Sequence, residues 1–296
     1  MSFPFALPPQ GPGKPDPQWM GNGFQVGNNF CGVLEYSSNG EGWSDDLTKF
    51  HEDTAGSDHF IDRASRRHAL QQLLKYAGKK PPVVLEIGCS SGFMVCQISE
   101  RLKDSVVIGS DIVHKPLEQL ASSRPDLPLF RFDLIKCPFP DSSIDAVIML
   151  NVLEHIENDR LAMQQVYRIL KPGGIAVIEA PAGPHLYDFY DKSLMHFRRY
   201  TLMGLTALAV DLNFRVLKQS HLGFFLYPGF SWVKRRNKKL VLQSEDMQNH
   251  LTEQNIRKTG GSRLLDMLIQ FELAMGRFIS YPFGIRCLLT CSKSAA

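Results

Sequence analysis

Hydrophobic positions along the chain fall into distinct regimes. Residues 1 to about 45 hold no lasting period: six prolines occur by residue 17, and the run GNGFQVGNNFCGVLEYSSNGEG follows. Such a stretch cannot offset its ordering entropy by itself, so a Pro/Gly-rich tail, loose or draped over the rest, is expected. From Asp58 the apolar spacing becomes three and four, through Phe60, Ile61, Ala64, Ala69, Leu70, Leu73 and Leu74. That spacing predicts an amphipathic lead-in helix over 58–78, with Asp58 available as its cap and Gly78 and Pro81-Pro82 as its stop.

After Pro82 the period switches again and then alternates. PVVLEIG is a short, continuously apolar run ending in Gly, the pattern of a strand buried on both faces, and SGFMVCQISERLK follows as a helix. The unit repeats: SVVIGSD as strand, KPLEQLASS as helix, LPLFRFD and IDAVIMLN as strands, NDRLAMQQVYRILK as helix, GGIAVIEAP as strand. TLMGLTALAVD reads as a helix, FRVLKQSHLG as a strand, and GIRCLLTCS as a last strand at 285–292. Strands alternating with helices imply right-handed crossovers and a mostly parallel α/β sheet covered on both faces. The ligand-binding core spans 81–221 plus that last strand, within one domain over 46–296, and a helical insertion occupies 222–283.

Composition narrows the picture. The chain has 296 residues, 44% hydrophobic and 21% charged, with 33 Lys plus Arg against 30 Asp plus Glu, so whole-chain electrostatics gives no argument for a polyanion partner. Lys234, Arg235, Arg236, Lys238 and Lys239 concentrate positive charge in one short run. Cys31, Cys89, Cys96, Cys137, Cys287 and Cys291 form no C-x-x-C pair and no regular spacing, so neither a disulfide framework nor a metal site is expected. Reduced thiols and the absence of a signal-peptide pattern point to the cytoplasm. The uncharged run Leu222 to Val233 is broken by Gly and Pro and is far short of the ~20 apolar residues that span a bilayer.

In an open parallel sheet, ligands bind beyond the carboxyl ends of the strands, where strand order reverses. Successive predicted strand ends deliver Glu86 with the turn Gly88-Cys89-Ser90-Ser91-Gly92, then Asp111, then Asp133, then Asn151 followed by Glu154 and His155. A dinucleotide site asks for G-x-G-x-x-G at the first turn. Counting from Gly88, the second and third glycines are replaced by Ser90 and Phe93, which disfavours an NAD-dependent oxidoreductase. Glu86 suits an ammonium group, Asp111 the paired hydroxyls of a ribose, and Asp133 an adenine amino group; together these describe S-adenosylmethionine.

VLEIGCSSG, GSDI, FDL, DAVIMLNVLEHI and RILKPGG resemble the successive motifs of class I S-adenosylmethionine-dependent methyltransferases, in the branch similar to ubiquinone and menaquinone C-methyltransferases. The resemblance covers 81–221, and more weakly 58–80. MHFRRYT and YPFGIRCLLTCSK are similar to a subgroup found among glycan biosynthesis proteins. The resemblance implies a Rossmann-like sheet of seven strands. It also implies Glu86 near the methionine part, Gly88, Cys89, Ser90 and Gly92 packed on the cofactor, and Asp111 with Ile112 at the ribose. Asp133 and Leu134 take the adenine edge, and Asn151 and Val152 the methyl end. Ser90 departs from the usual Gly, so a serine must accept backbone geometry that Gly allows.

Methyl transfer from a sulfonium needs alignment and exclusion of water, and a general base only for an un-ionised acceptor. His155, His196 and Tyr200 are the candidates. Arg198 and Arg199 offer an anion clamp for a carboxylate or phosphate on the acceptor, or alternatively pair with Asp188 and Asp191 to hold their loop. NVLEH in place of an N/D-P-P-aromatic signature argues against methylation of nucleic-acid bases, leaving an O or C acceptor on a small or lipid-linked molecule. A non-catalytic binding module is the competing class. Aromatics followed by the basic run at 222–239 suit peripheral contact with an anionic membrane, unless the insertion closes over the site and its lysines face water.

Overall fold

The computed structural model describes residues 3–37, 59–78, 80–238 and 263–294. Among these, two sheets form. A small antiparallel sheet joins β1 (Gln18–Trp19), β2 (Phe24–Val26) and β3 (Asn29–Cys31) in that order. The main sheet contains β4 (Val33–Glu35), β5 (Val83–Ile87), β6 (Val106–Asp111), β7 (Leu129–Arg131), β8 (Ile144–Leu150), β9 (Leu170–Pro181), β10 (Phe214–Leu222) and β11 (Arg286–Lys293). Its order is β10-β11-β9-β8-β5-β6-β7-β4. Only β11 runs antiparallel to its neighbours. The helices are α1 (Phe60–Tyr76), α2 (Phe93–Arg101), α3 (His114–Ser123), α4 (Asp159–Ile169), the short α5 (Phe189–Ser193), α6 (Leu202–Asp211), α7 (Tyr227–Lys238) and α8 (Arg263–Met275).

The sheet therefore has eight strands rather than the seven expected. The extra one is β4, from the segment read as a tail, which pairs in parallel with β7 from Val33–Leu129 to Glu35–Arg131. The residues before it are held by aromatic packing, with Phe24 against Phe130 at 5.0 Å and Phe5 against Phe139 at 5.3 Å between ring centroids. A few aromatics, each burying ~150–250 Å², anchor a stretch that has no period to announce it. Residues 38–45 of that tail, Asp58 with its expected capping role, and Lys239 lie outside the described residues. Helix α1 starts instead after His59, which has extended backbone and no side-chain cap.

Alternation within the strands divides the core into two layers. Leu85, Ile87, Val147, Met149, Ala176 and Ile178 pack on one face, and Val84, Ala146, Ile148 and Val177 on the other. All five residues of β5 are buried, as a strand covered on both faces requires. The chain winds β5, β6, β7 in one direction and β8, β9 in the other, so strand order reverses between β5 and β8. The crevice at their carboxyl ends is where a ligand fits such a sheet. Strands β10 and β11 form a long antiparallel pair, with α7 and α8 in the segment that joins them. Among the described residues, no helix is long and apolar enough to cross a membrane.

Candidate active site

The first βα turn is built from local backbone demands. Gly88 (φ +76°), Ser90 (φ +44°) and Gly92 (φ +82°) all lie in the left-handed region, so Ser90 does adopt a conformation that favours Gly. A Cβ on Gly88 would stand 2.5 Å from Val152 Cγ2, which places the turn directly against the second residue after β8. The N–H groups of Gly88 and Cys89 donate to Ser110 O at 2.8 and 2.9 Å, tying the turn to the end of β6. There, Asp111 Oδ2 accepts from Ser90 N–H at 2.8 Å and Oδ1 from Val113 N–H at 3.0 Å. These two bonds orient the Asp111 carboxylate at the end of β6. Beyond β7, Asp133 Oδ1 accepts from Ile135 N–H at 3.1 Å and caps the turn Leu134–Lys136.

Glu86 is 4% exposed on β5 and its Oε2 meets no hydrogen-bond partner among the described residues. Burial holds its carboxyl well above the usual carboxylate range, and the charge of Asp111 adds to this; the Val95 N–H and Arg66 pull the other way. A buried acid with an open oxygen at a strand end is matched by a cationic donor. These residues fit S-adenosylmethionine: an acid for its ammonium group, Asp111 for its ribose and Asp133 for its adenine edge. A diphosphate would meet Glu86 unfavourably and would lack the glycines at Ser90 and Phe93.

Asn151 carries φ +55° and is held by Glu179 on β9. Its N–H donates to Glu179 O at 3.0 Å and its side-chain amide to Glu179 Oε1 at 3.2 Å. Glu179 Oε1 also accepts from Ser65 at 2.8 Å and from Arg286 at 2.7 Å, while Arg286 reaches Asp62 Oδ1 at 2.5 Å. This buried network links α1, β9 and β11 beside Asn151 at the end of β8. Sequence reading missed it; the signal available was a single charge within each of two apolar strands, Glu179 in GGIAVIEAP and Arg286 in GIRCLLTCS.

Past Asn151, the turn Leu153–His155 brings Glu154 and His155 toward the loop after β9. The rings of His155 and His196 meet edge to face at 4.7 Å. His196 Nδ1 lies 2.9 Å from Asp191 Oδ1, and burial lowers the imidazole's pKa against the pull of Asp191. Asp191 and Asp188 form a capping box at the start of α5. Asp191 also receives Arg199 at 2.8 Å and Lys234 at 2.9 Å. Burial would raise the pKa of Asp191, but these donors outweigh it and hold the carboxyl far below its usual range. Glu154 is 1% exposed, and burial pushes its carboxyl up to about 8.

The remaining expected residues are placed differently. Tyr200 is buried and donates to Asp159 Oδ2 at 2.7 Å. Burial and that bond raise its phenol pKa, and the bond ties it to Asp159 at the start of α4. Arg199 spends its guanidinium on Asp191 and Ala182 O, and Arg198 on Asp159 and Glu157 O. Of the two roles considered for this pair, the geometry is that of loop holding, with Asp159 and Asp191 as the carboxylates. Lys234 is also buried, against Asp188 at 2.7 Å; it departs from the surface run to which it belongs.

Residues 85–178 match the sequence profile of the family described as a methyltransferase domain. A protein of Mycolicibacterium smegmatis named "Probable S-adenosylmethionine-dependent methyltransferase" is 25% identical over 167 residues, 55% of this chain and 62% of that relative. Demethylmenaquinone methyltransferase of Thermus thermophilus is 27% identical over 143 residues, 45% of this chain and 63% of that one. The chain spans less than two thirds of the length of these curated relatives. The fold is similar to that of Haemonchus contortus phosphoethanolamine N-methyltransferase 2 in complex with S-adenosyl-L-methionine, with a TM-score of 0.54 at 15% identity. That match covers 84% of this chain and 56% of the other.

Proposed function

With residues 85–178 matching the model of a methyltransferase domain, we propose that the protein is an S-adenosylmethionine-dependent methyltransferase of the class I kind that moves a methyl group to an oxygen or carbon atom of a small or lipid-linked acceptor. The observation that carries this reading is the juxtaposition of buried Glu86, whose Oε2 meets no partner among the described residues, with Asp111 at the neighbouring strand end, beside the reversal of strand order. When bound, S-adenosylmethionine supplies an electrophilic methyl on a sulfonium that is its own leaving group.

The chain's part is alignment. Glu86 holds the ammonium group, Asp111 the ribose hydroxyls, and Asp133 with Leu134 the adenine edge. Asn151, fixed by Glu179, and Val152, packed on Gly88, border the methyl end. Holding both reactants in line removes most of the entropic part of such a barrier. His155 and His196 stand at that end as the groups to take a proton from the acceptor. The loop after α5 carries His196, and Arg199 and Lys234 keep that loop in place through Asp191.

A lipid-linked acceptor is supported by the outer face of the insertion. Trp232 is 64% exposed on α7, with the guanidinium of Arg236 5.8 Å from its ring centre, and Phe278 is 86% exposed after α8. Aromatic and basic side chains side by side suit the headgroup region of an anionic membrane.

Incubation with methyl-labelled S-adenosylmethionine and separated membrane and soluble extract fractions tests the reading. Label is expected in an organic-phase product of the membrane fraction and absent with Glu86→Ala. Label in no fraction, with cofactor binding intact, supports the binding-module alternative instead.

A further inference from the structure

We propose that Glu154, His155 and His196 form a binding site for one divalent transition-metal cation at the acceptor end of the crevice. One ligand atom from each lies within 4.8 Å of the other two. Ligand atoms on one such ion stand roughly 3 to 3.5 Å apart at bond lengths of ~2.0–2.2 Å, so small side-chain rotations close the set. The donors arrive from two separate elements: the turn after β8 carries Glu154 and His155, and the loop after α5 carries His196. Their 41-residue separation explains why spacing gave no metal signature and none was expected.

Two further observations favour a cation over a packed polar cluster. First, both carboxylate oxygens of Glu154 are buried and meet no hydrogen-bond partner among the described residues, although the residue is 1% exposed. Buried charged carboxylates in folded proteins are paired or coordinate metals, and ligand atoms of two imidazoles lie within 4.8 Å of this one. Second, His196 already has the support that a ligating histidine needs. Its Nδ1 is 2.9 Å from Asp191 Oδ1, and Asp191 is held as an acceptor by Arg199 and Lys234. A proton on Nδ1 therefore turns the lone pair of Nε2 away from Asp191. A carboxylate behind a histidine in this way fixes the tautomer and ring direction of metal-bound imidazoles.

Two histidines and one carboxylate on one side of an ion leave its other positions open, and this donor set suits Fe(II), Mn(II), Co(II) or Zn(II) rather than Mg(II). A consequence, which rests on the methyl-transfer reading, is that a hydroxyl of the acceptor takes an open position and loses its proton to solvent, His155 and His196 then serving as ligands in place of bases, which favours O-methylation. The cation site itself does not depend on that reading.

The test uses the full chain, stripped with a chelator, dialysed and titrated with Co(II), followed by d–d absorption and by calorimetry. One equivalent is expected to bind, with at least a tenfold weaker affinity and loss of the absorption band in Glu154→Gln and in His196→Ala. Glu154→Gln relieves a buried carboxylate, so unfolding in urea should leave it as stable as the parent, and it serves as the control against misfolding. Absence of Co(II) and Zn(II) binding to the parent chain overturns the proposal, as does binding unchanged in Glu154→Gln. Titration of the same samples with S-adenosylmethionine separates the two readings: cofactor binding without metal binding leaves the proposed function standing and removes only this site.

Discussion

Lys234 places its ammonium group 2.7 Å from Asp188 Oδ1, sealed at 4% exposure between α7 and the start of α5. It also reaches Asp191 at 2.9 Å, so one insertion residue fixes the loop that carries His196. Its neighbours Arg235 and Arg236 are exposed. Removing one partner of a buried ion pair strands the other charge, at a cost of about 3–5 kcal/mol. Lys234→Ala is therefore expected to lower stability by about 3 kcal/mol in urea denaturation, whereas Arg235→Gln and Arg236→Gln change it by under about 0.5 kcal/mol. Equal effects from all three would contradict the burial of Lys234.

What the sequence made legible follows from how local each signal is. Glu86, Asp111, Asp133 and Asn151 were readable because each sits at the end of an apolar run, and a strand end is visible within a few residues. Ser90 was readable as a strained position because it stands where the motif that VLEIGCSSG resembles usually carries Gly. By contrast, Glu179 and Arg286 are 107 residues apart, and only the β9-β11 register brings them together. Strand β4 was hidden because three residues at a sheet edge carry no period. Lys234 was hidden because five basic residues within six read as an exposed run, facing a membrane surface or water, and only the packing of α7 reveals which one turns inward.

His68, on α1, gives a pH dependence with a definite sign. Burial, helped by repulsion from Lys218, lowers its pKa from an ordinary 6.5 to about 3. Below pH 6.5 the unfolded chain binds a proton that the folded chain refuses, so His68 contributes stability above 6.5 that is lost as pH falls toward 3. One such proton steepens the decline by up to about 1.4 kcal/mol per pH unit. Between pH 6 and 4, His68→Gln should therefore lose stability less steeply than the parent in urea denaturation at each pH. Parallel declines would place the proton uptake elsewhere.

Gly88 and Val152 should couple. A methyl at Gly88 meets Val152 Cγ2 at 2.5 Å and also sits at φ +76°. Gly88→Ala is expected to destabilise by about 2 kcal/mol, part steric and part backbone strain. In the double variant with Val152→Ala, the steric part disappears, so the two changes cost less together than their sum. Additive values in a double-mutant cycle would show that the turn does not pack on Val152.

The central claim is that the crevice at the ends of β5, β6 and β8 is a site for S-adenosylmethionine in which Asp111 reads the ribose. Calorimetric titration of the parent chain and of Asp111→Asn, each with S-adenosylmethionine and with NAD, tests it most directly. The account predicts one equivalent of S-adenosylmethionine bound by the parent, at least tenfold weaker binding by Asp111→Asn, and no measurable heat with NAD. Affinity for S-adenosylmethionine unchanged in Asp111→Asn, or NAD bound as tightly by the parent, would contradict it.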